Sequence, residues 1–440
     1  MAKNRMNPGW GVAFAGLGIN LALGVLYAWG VIASELRSQL GWSATWSQVP
    51  YMVACAVFAL SMVPGGRMQD RVGPRPVMVV AAGLSGLGFL LSGLVLKIPL
   101  PVVEFLGLVV FFGLVFGAGM GLGYSAPTPA AKKWFPKKQK GLVTGIVVSG
   151  FGLAPVYIAP LTSYLLGRYG LSWTFIFLGG GFFAIILGLS AFIKNPNQEH
   201  LAWLKETYPE KADATAGGQW EFDWKEALAT KAFRRLWVMF CFGTFAGLLI
   251  IGQMRDIGTE QAHIASPFLL PIFYAAFNCI GRLACGFFSD WIGRLRSLLI
   301  LFAVQVVTFA FFIFIDSSVP MIIGVSVVGF TFGGMLSLFP AATSDYFGMK
   351  HFGVNYGMML TAWGVGGVFG PLMGGIVRDL TGTYVVSYVV SIALSLAGAL
   401  LSMTVRAPEL ALAPAGLAAS VANGEAAAPG VAEAAGADPA

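Results

Sequence analysis

The chain has 440 residues, is 57% hydrophobic and only 11% charged, and carries a formal net charge of +7. A soluble domain cannot hide that much apolar surface, so the composition excludes the usual soluble classes and points to a protein that crosses a membrane many times. The positive balance suits contact with anionic inner-leaflet lipid and calls for no nucleic acid.

Apolar stretches able to cross a hydrocarbon layer roughly 30 Å thick recur along the first 406 residues. They predict twelve helices, at 11–33, 46–65, 76–96, 102–126, 141–165, 173–193, 234–255, 264–289, 297–315, 319–342, 352–376 and 383–404. Backbone groups in lipid must bond internally, and segments this long with weak alternation suit helices rather than barrel strands. Lys3 and Arg5 precede the first helix, which is too long for a signal peptide and lacks a cleavage site, so it is expected to stay attached. Placing both termini in the cytoplasm puts the cluster Lys132, Lys133, Lys137, Lys138 and Lys140 inside, with Arg67, Arg294, Arg296, Lys350 and Arg406. Only Arg37, Lys97, Arg168, Arg255 and Arg378 fall outside. A multi-pass protein of the bacterial inner membrane is the expectation.

The predicted helices form two groups of six. Residues 1–198 and 233–406 are each expected to fold as a six-helix bundle, joined by a polar cytoplasmic linker at 199–232. A short surface helix is expected near 221–230, with Trp220, Phe222 and Trp224 in the membrane interface. Residues 407–440 are almost wholly Ala, Gly, Pro, Val and Glu, a composition that predicts disorder. Cys55, Cys241, Cys279 and Cys285 lie in apolar spans without metal-ligand spacing, so packing is their expected role and neither metal nor cofactor is implied.

The halves resemble each other. Residues 65–75 read GGRMQDRVGPR and 286–296 read GFFSDWIGRLR; matching Asp70 with Asp290 gives an offset of 220 residues, and Phe135 with Phe347 and Pro160 with Pro371 give 212 and 211. Two such bundles predict a central cavity reached alternately from either side. Asp70, Arg71, Arg75, Asp290 and Arg294 in the turns are expected to form a latch that holds the cytoplasmic side closed. Glycine clusters at 113–123 and 364–375 and Pro127, Pro155, Pro160 and Pro371 allow close crossings, and the fourth and tenth helices are expected to bend. Arg282 lies deep in the apolar segment 264–289, where a guanidinium is costly unless it meets an anion, a partner or a water path.

GGRMQDRVGPR resembles the loop signature of the major facilitator superfamily, whose members place twelve helices in two bundles. The stretches AKKWFPKKQKGLVTGIVVSGFGL (131–153), FNCIGRLACGFFSDWIGR (277–294), FPAATSDYFG (339–348) and NYGMMLTAWGVGGVFGP (355–371) are similar to the bacterial oxalate/formate antiporter family, itself related to the monocarboxylate transporters. The resemblance implies transport of small carboxylates, by exchange in some members and with a proton in others. It also implies that Arg282, one turn after Asn278, contacts the substrate carboxylate, as a planar guanidinium can do through two parallel bonds. Tyr27 matches an aromatic lining residue, Tyr124 lies on the fourth helix, and Phe332 and Leu336 stand where the oxalate exchanger has bulkier aromatics.

Two departures shape the expected substrate. The exchanger's lysine in the eleventh helix is replaced by Trp363, so a second carboxylate would lack a positive partner. The aspartate that precedes the arginine in animal monocarboxylate transporters is Asn278, which cannot titrate, leaving Glu35, Glu104, Asp256 and Glu260 as acids for any proton coupling. Asp256 beside Arg255 also reads as an ordinary external ion pair. The expectation is therefore a monomeric transporter, not an enzyme, moving monocarboxylates such as L-lactate or pyruvate by proton-coupled symport, with an oxalate/formate-type exchanger as the alternative.

Overall fold

The computed structural model describes residues 7–208, 221–266, 268–348 and 351–406. The tail at 407–440, Lys3, Arg5, Trp220 and Lys350 lie outside the described residues, so the expectations placed on them have no counterpart below.

The described chain is helical. In the first half run α1 (Gly9–Leu40), α2 (Ala44–Val72), α3 (Pro74–Val95), α4 (Pro101–Lys132) and α5 (Lys137–Ser190). Two short helices follow, α6 (Gln198–Thr207) and α7 (Trp224–Ala229). The second half holds α8 (Lys231–Gln261), α9 (Leu269–Ile292), α10 (Arg294–Phe312), α11 (Ser318–Phe347), α12 (Phe352–Thr381) and α13 (Val385–Ser402). Eleven of these segments are long and apolar enough to cross a membrane, which makes this a multi-pass membrane protein. The membrane part of α5 has 50 residues, about 75 Å at 1.5 Å per residue and far more than one crossing needs. Gly170 breaks it with φ 76° and ψ 178°, a backbone only glycine adopts readily.

One irregular stretch falls in a helix expected to bend, the fourth, while those at Gly24–Ala28 in α1 and Ile257–Gln261 in α8 were not expected. Helix α1 tightens to a 3₁₀ turn at Gly24–Ala28, α4 widens to a π-helical stretch at Val109–Phe116, and α11 contains Pro340. Close crossings follow from glycine. A Cβ on Gly333 would lie 2.0 Å from the Asn278 carbonyl oxygen, and one on Gly281 would lie 2.1 Å from that of Phe330, so α9 and α11 touch backbone to backbone.

The halves meet along α2 with α12, α5 with α9, and α1 with α8. Asn7, Trp134 and Thr404 share what we term the basal end, and Leu40, Ala44 and Arg255 the apical end. Each end of the linker belongs to a different half. The Trp134 indole donates to the Lys194 carbonyl at 2.8 Å and His200 Nε2 lies 3.0 Å from the Trp134 carbonyl. On the other side, Phe222 N donates to the Phe347 carbonyl at 3.1 Å, and Asn355 Nδ2 donates to the Phe222 carbonyl at 3.0 Å. Those two bonds pull Phe222 out of the membrane interface expected for it and bury it against Phe347. An Asp223 and Glu226 capping box starts α7, inside the range expected for a short helix.

Candidate functional site

Helix α9 carries Arg282 to the seam between the halves. Its Nε donates to Asn278 Oδ1 at 3.0 Å, and the fully buried Asn278 in turn points Nδ2 at the Gly329 carbonyl, 3.4 Å away on α11. Across the seam, Gly152 of α5 leaves room for this pair: a Cβ there would stand 2.8 Å from Asn278 Oδ1 and 3.6 Å from Arg282 Nε. With Nε bonded to Asn278, a carboxylate in end-on, two-bond geometry would share the terminal guanidinium nitrogens with the phenols of Tyr27 and Tyr124.

The guanidinium borders a narrow cavity of about 20 Å³, room for little more than one water between the packed side chains. The first half contributes Tyr27, Phe58, Tyr124 and Phe151; the second contributes Arg282, Leu336, Tyr356, Leu360 and Trp363. The phenols of Tyr27 and Tyr124 interact with the guanidinium. Edge-on contacts fix the aromatic wall, with ring centroids 5.1 Å apart for Tyr27 and Phe151, 5.2 Å for Tyr124 and Phe151, and 5.1 Å for Phe58 and Trp363. No acid lines the cavity among the described residues, so its one cation has no fixed counter-charge there. A larger hollow at the apical rim, beside Lys97 and Trp173, lies away from this set.

Of the residues singled out in the sequence, Tyr27, Tyr124, Arg282, Leu336 and Trp363 are brought together. Asn278 sits behind Arg282 and orients it. Phe332 is fully buried with its ring 6.1 Å from Tyr27, packed so tightly on α8 that a Cβ at Gly247 would meet it at 2.3 Å; it backs the wall rather than facing the space. Phe58, Phe151, Tyr356 and Leu360 were not anticipated. Spacing could have found two of them, because Tyr356, Leu360 and Trp363 share one helix face at i, i+4 and i+7.

The charged residues divide between the ends. At the apical end Arg37 pairs with the almost fully buried Asp256, and Arg255 reaches Glu35 at 3.6 Å and the Val31 carbonyl at 3.1 Å. The carboxylate of Asp379 on α12 accepts from Ala44 N and Thr45 N, both at 2.8 Å, and so caps α2 of the other half. Gln48 Nε2 donates to the Gly252 carbonyl at 2.9 Å. Glu260 pairs with Arg378 at 2.6 Å within the second half, and Glu104 is buried in the first turn of α4. At the basal end Arg294 holds Asp290 at 2.6 Å and Asp345 at 3.0 Å, all in the second half, while Arg71 and Arg75 are exposed. The Asp70 side chain lies outside what the structure describes. Among the described residues the ion pairs seen between halves lie at the apical end, Arg294 is taken up by acids of its own half, and at the basal end Lys132 of the first half stands over the Phe352 ring of the second, 6.0 Å away.

Comparison with known proteins agrees with this architecture. The model of the Major Facilitator Superfamily matches residues 10–371 and 254–425. The oxalate:formate antiporter of Oxalobacter formigenes is 28% identical over 80% of this chain and 81% of its own length. Monocarboxylate transporter 13 of Rattus norvegicus is 26% identical over 90% of this chain and 89% of its own. A crystal structure of a bacterial homolog of the human lysosomal transporter Spinster superposes with a TM-score of 0.64 at 16% identity, covering 92% of this chain and 98% of that one, a likeness of fold alone. The chain belongs to the major facilitator superfamily, a family of transporters rather than enzymes.

Proposed function

We propose that this protein carries small carboxylates of single negative charge across a membrane by alternating access, with Arg282 as the carboxylate site. The observation that carries the reading is a guanidinium at the seam of the halves, oriented by Asn278, facing phenols and no acid among the described lining residues. One such cation balances one carboxylate, and Trp363 supplies no second charge, which favours monocarboxylates such as L-lactate or pyruvate over oxalate. Twelve spans in two six-helix bundles follow if α5 crosses twice, turning at Gly170. The basic residues then set the basal end and both termini in the cytoplasm of a bacterial inner membrane, with the apical end outside and closed. A monomer suffices, since the cavity is built within one chain.

Exchange is the better-supported mode. The likeness to an oxalate:formate antiporter favours it, as does a cavity without a titratable acid among its described lining residues, while Glu35, Asp256 and Glu260 are engaged in ion pairs at the apical end. Proton-coupled symport, the expectation from sequence, is the second reading and draws on the likeness to a monocarboxylate transporter over 90% of the chain. Uptake of labelled L-lactate into proteoliposomes distinguishes them. Exchange requires preloaded formate, oxalate or lactate; accumulation into empty vesicles under an inward proton gradient would establish symport. Arg282→Lys retains charge but loses the planar fork, and we expect it to weaken lactate binding at least tenfold. Unchanged affinity in a folded variant would remove Arg282 from the site.

A further inference from the structure

The cavity contains a phenol that the arginine does not use. Tyr27 and Tyr124 interact with Arg282, whereas the Tyr356 hydroxyl has no hydrogen-bond partner among the described residues, although its side chain lines the same space. The ring is fixed in place: it stacks on Phe352 with centroids 5.6 Å apart and planes 2° from parallel. Leu360 and Trp363 continue the same face of α12 deeper into the cavity, so Tyr356 lies on the basal side of the apolar wall and within electrostatic reach of both Arg282 and Tyr124.

A positioned, half-buried hydroxyl without a protein partner is suited to a polar group on the ligand. A phenol can donate to a keto oxygen or donate to and accept from a hydroxyl, so it does not depend on ligand charge. A ligand lacking such an oxygen would cover the phenol and leave it unpaired, and a site built for a hydrogen bond discriminates through that penalty.

We propose that Tyr356 reads the oxygen on carbon 2 of the substrate, selecting 2-hydroxy and 2-oxo monocarboxylates over acids that lack it. The assignment rests on the reading of Arg282 as the carboxylate site. It makes Tyr356 a determinant of specificity, with the carboxylate and the adjacent oxygen held by different residues.

The test compares L-lactate with propionate, which keeps the carboxylate and the carbon skeleton but has no 2-hydroxyl. Binding of each would be measured on the purified full-length chain in lipid nanodiscs, wild type beside Tyr356→Phe. Wild type should favour lactate about tenfold, the worth of one hydrogen bond in a dry site, and the Phe variant should bring that ratio near one while leaving propionate affinity in place. A variant that weakens both acids equally, or keeps the wild-type ratio, overturns the assignment. If wild type binds neither acid, the carboxylate reading of Arg282 itself fails and the role of Tyr356 falls with it.

Discussion

Among the described residues, the ion pairs at the two ends of the molecule are arranged in opposite ways. At the apical end Arg37, Arg255, Gln48 and Asp379 reach from one half into the other, and two of their partners, Asp256 and the N-terminus of α2, are partly or wholly shielded from solvent. At the basal end Arg294 ties α9 to α11 inside one half, through acids that are largely exposed. The difference teaches where the conformational energy lies: an ion pair inside one half moves with it, whereas one between halves must break before that end can open. On the alternating-access reading, the apical seam is the one whose opening must break shielded charge pairs.

The largest effect is expected from Asp256→Ala. It leaves Arg37 at a shielded seam without its nearest carboxylate, and stranding a buried charge costs roughly 3 kcal/mol where the partner is this well shielded. The apical end should loosen, seen as longer and broader distances between spin labels at Ser38 and Thr259; an unaltered distribution would mean that the pair does not hold that end closed. Asp379→Ala comes next. Losing a cap on α2 costs about 1 kcal/mol, and here the cap comes from the other half, so the loss weighs on closure as well as on the helix. The same labels should report a smaller opening, and melting should show only a minor shift; the reverse pattern would make Asp379 a purely local cap.

The asymmetry of the ends was hidden in the sequence for a physical reason. Arg255 and Asp256 are neighbours and invite reading as a pair, yet adjacent helical residues do not face each other, so each takes a partner from α1 instead. Asp379 and Ala44 are 335 residues apart, and no local signal joins them. Arg282, by contrast, was legible because a charge in an apolar run stands out whatever it touches. The helices were legible for the same reason, as length and apolarity alone mark a crossing. The aromatic wall was half visible: Tyr27 and Trp363 came from resemblance, while Phe58 and Phe151 are two of 35 phenylalanines and only the packed fold tells them from lipid-facing ones.

Arg294→Ala gives the smallest effect and sharpens the contrast most. Its partners Asp290 and Asp345 are about half exposed, with side-chain accessibilities of 60% and 45%, and ion pairs this wet contribute on the order of 0.5 kcal/mol or less. Because all three residues belong to the second half, the variant should leave the apical label distances unchanged and alter melting by no more than a degree or two. Raising salt should affect wild-type Arg294 contacts far more than the shielded pair of Arg37 and Asp256, so the small difference between wild type and Arg294→Ala should vanish at high ionic strength. If instead Arg294→Ala opens or closes the apical end, the two ends are coupled through α9 and α11, and the backbone contact of Gly281 and Gly333 between those helices is the route to examine.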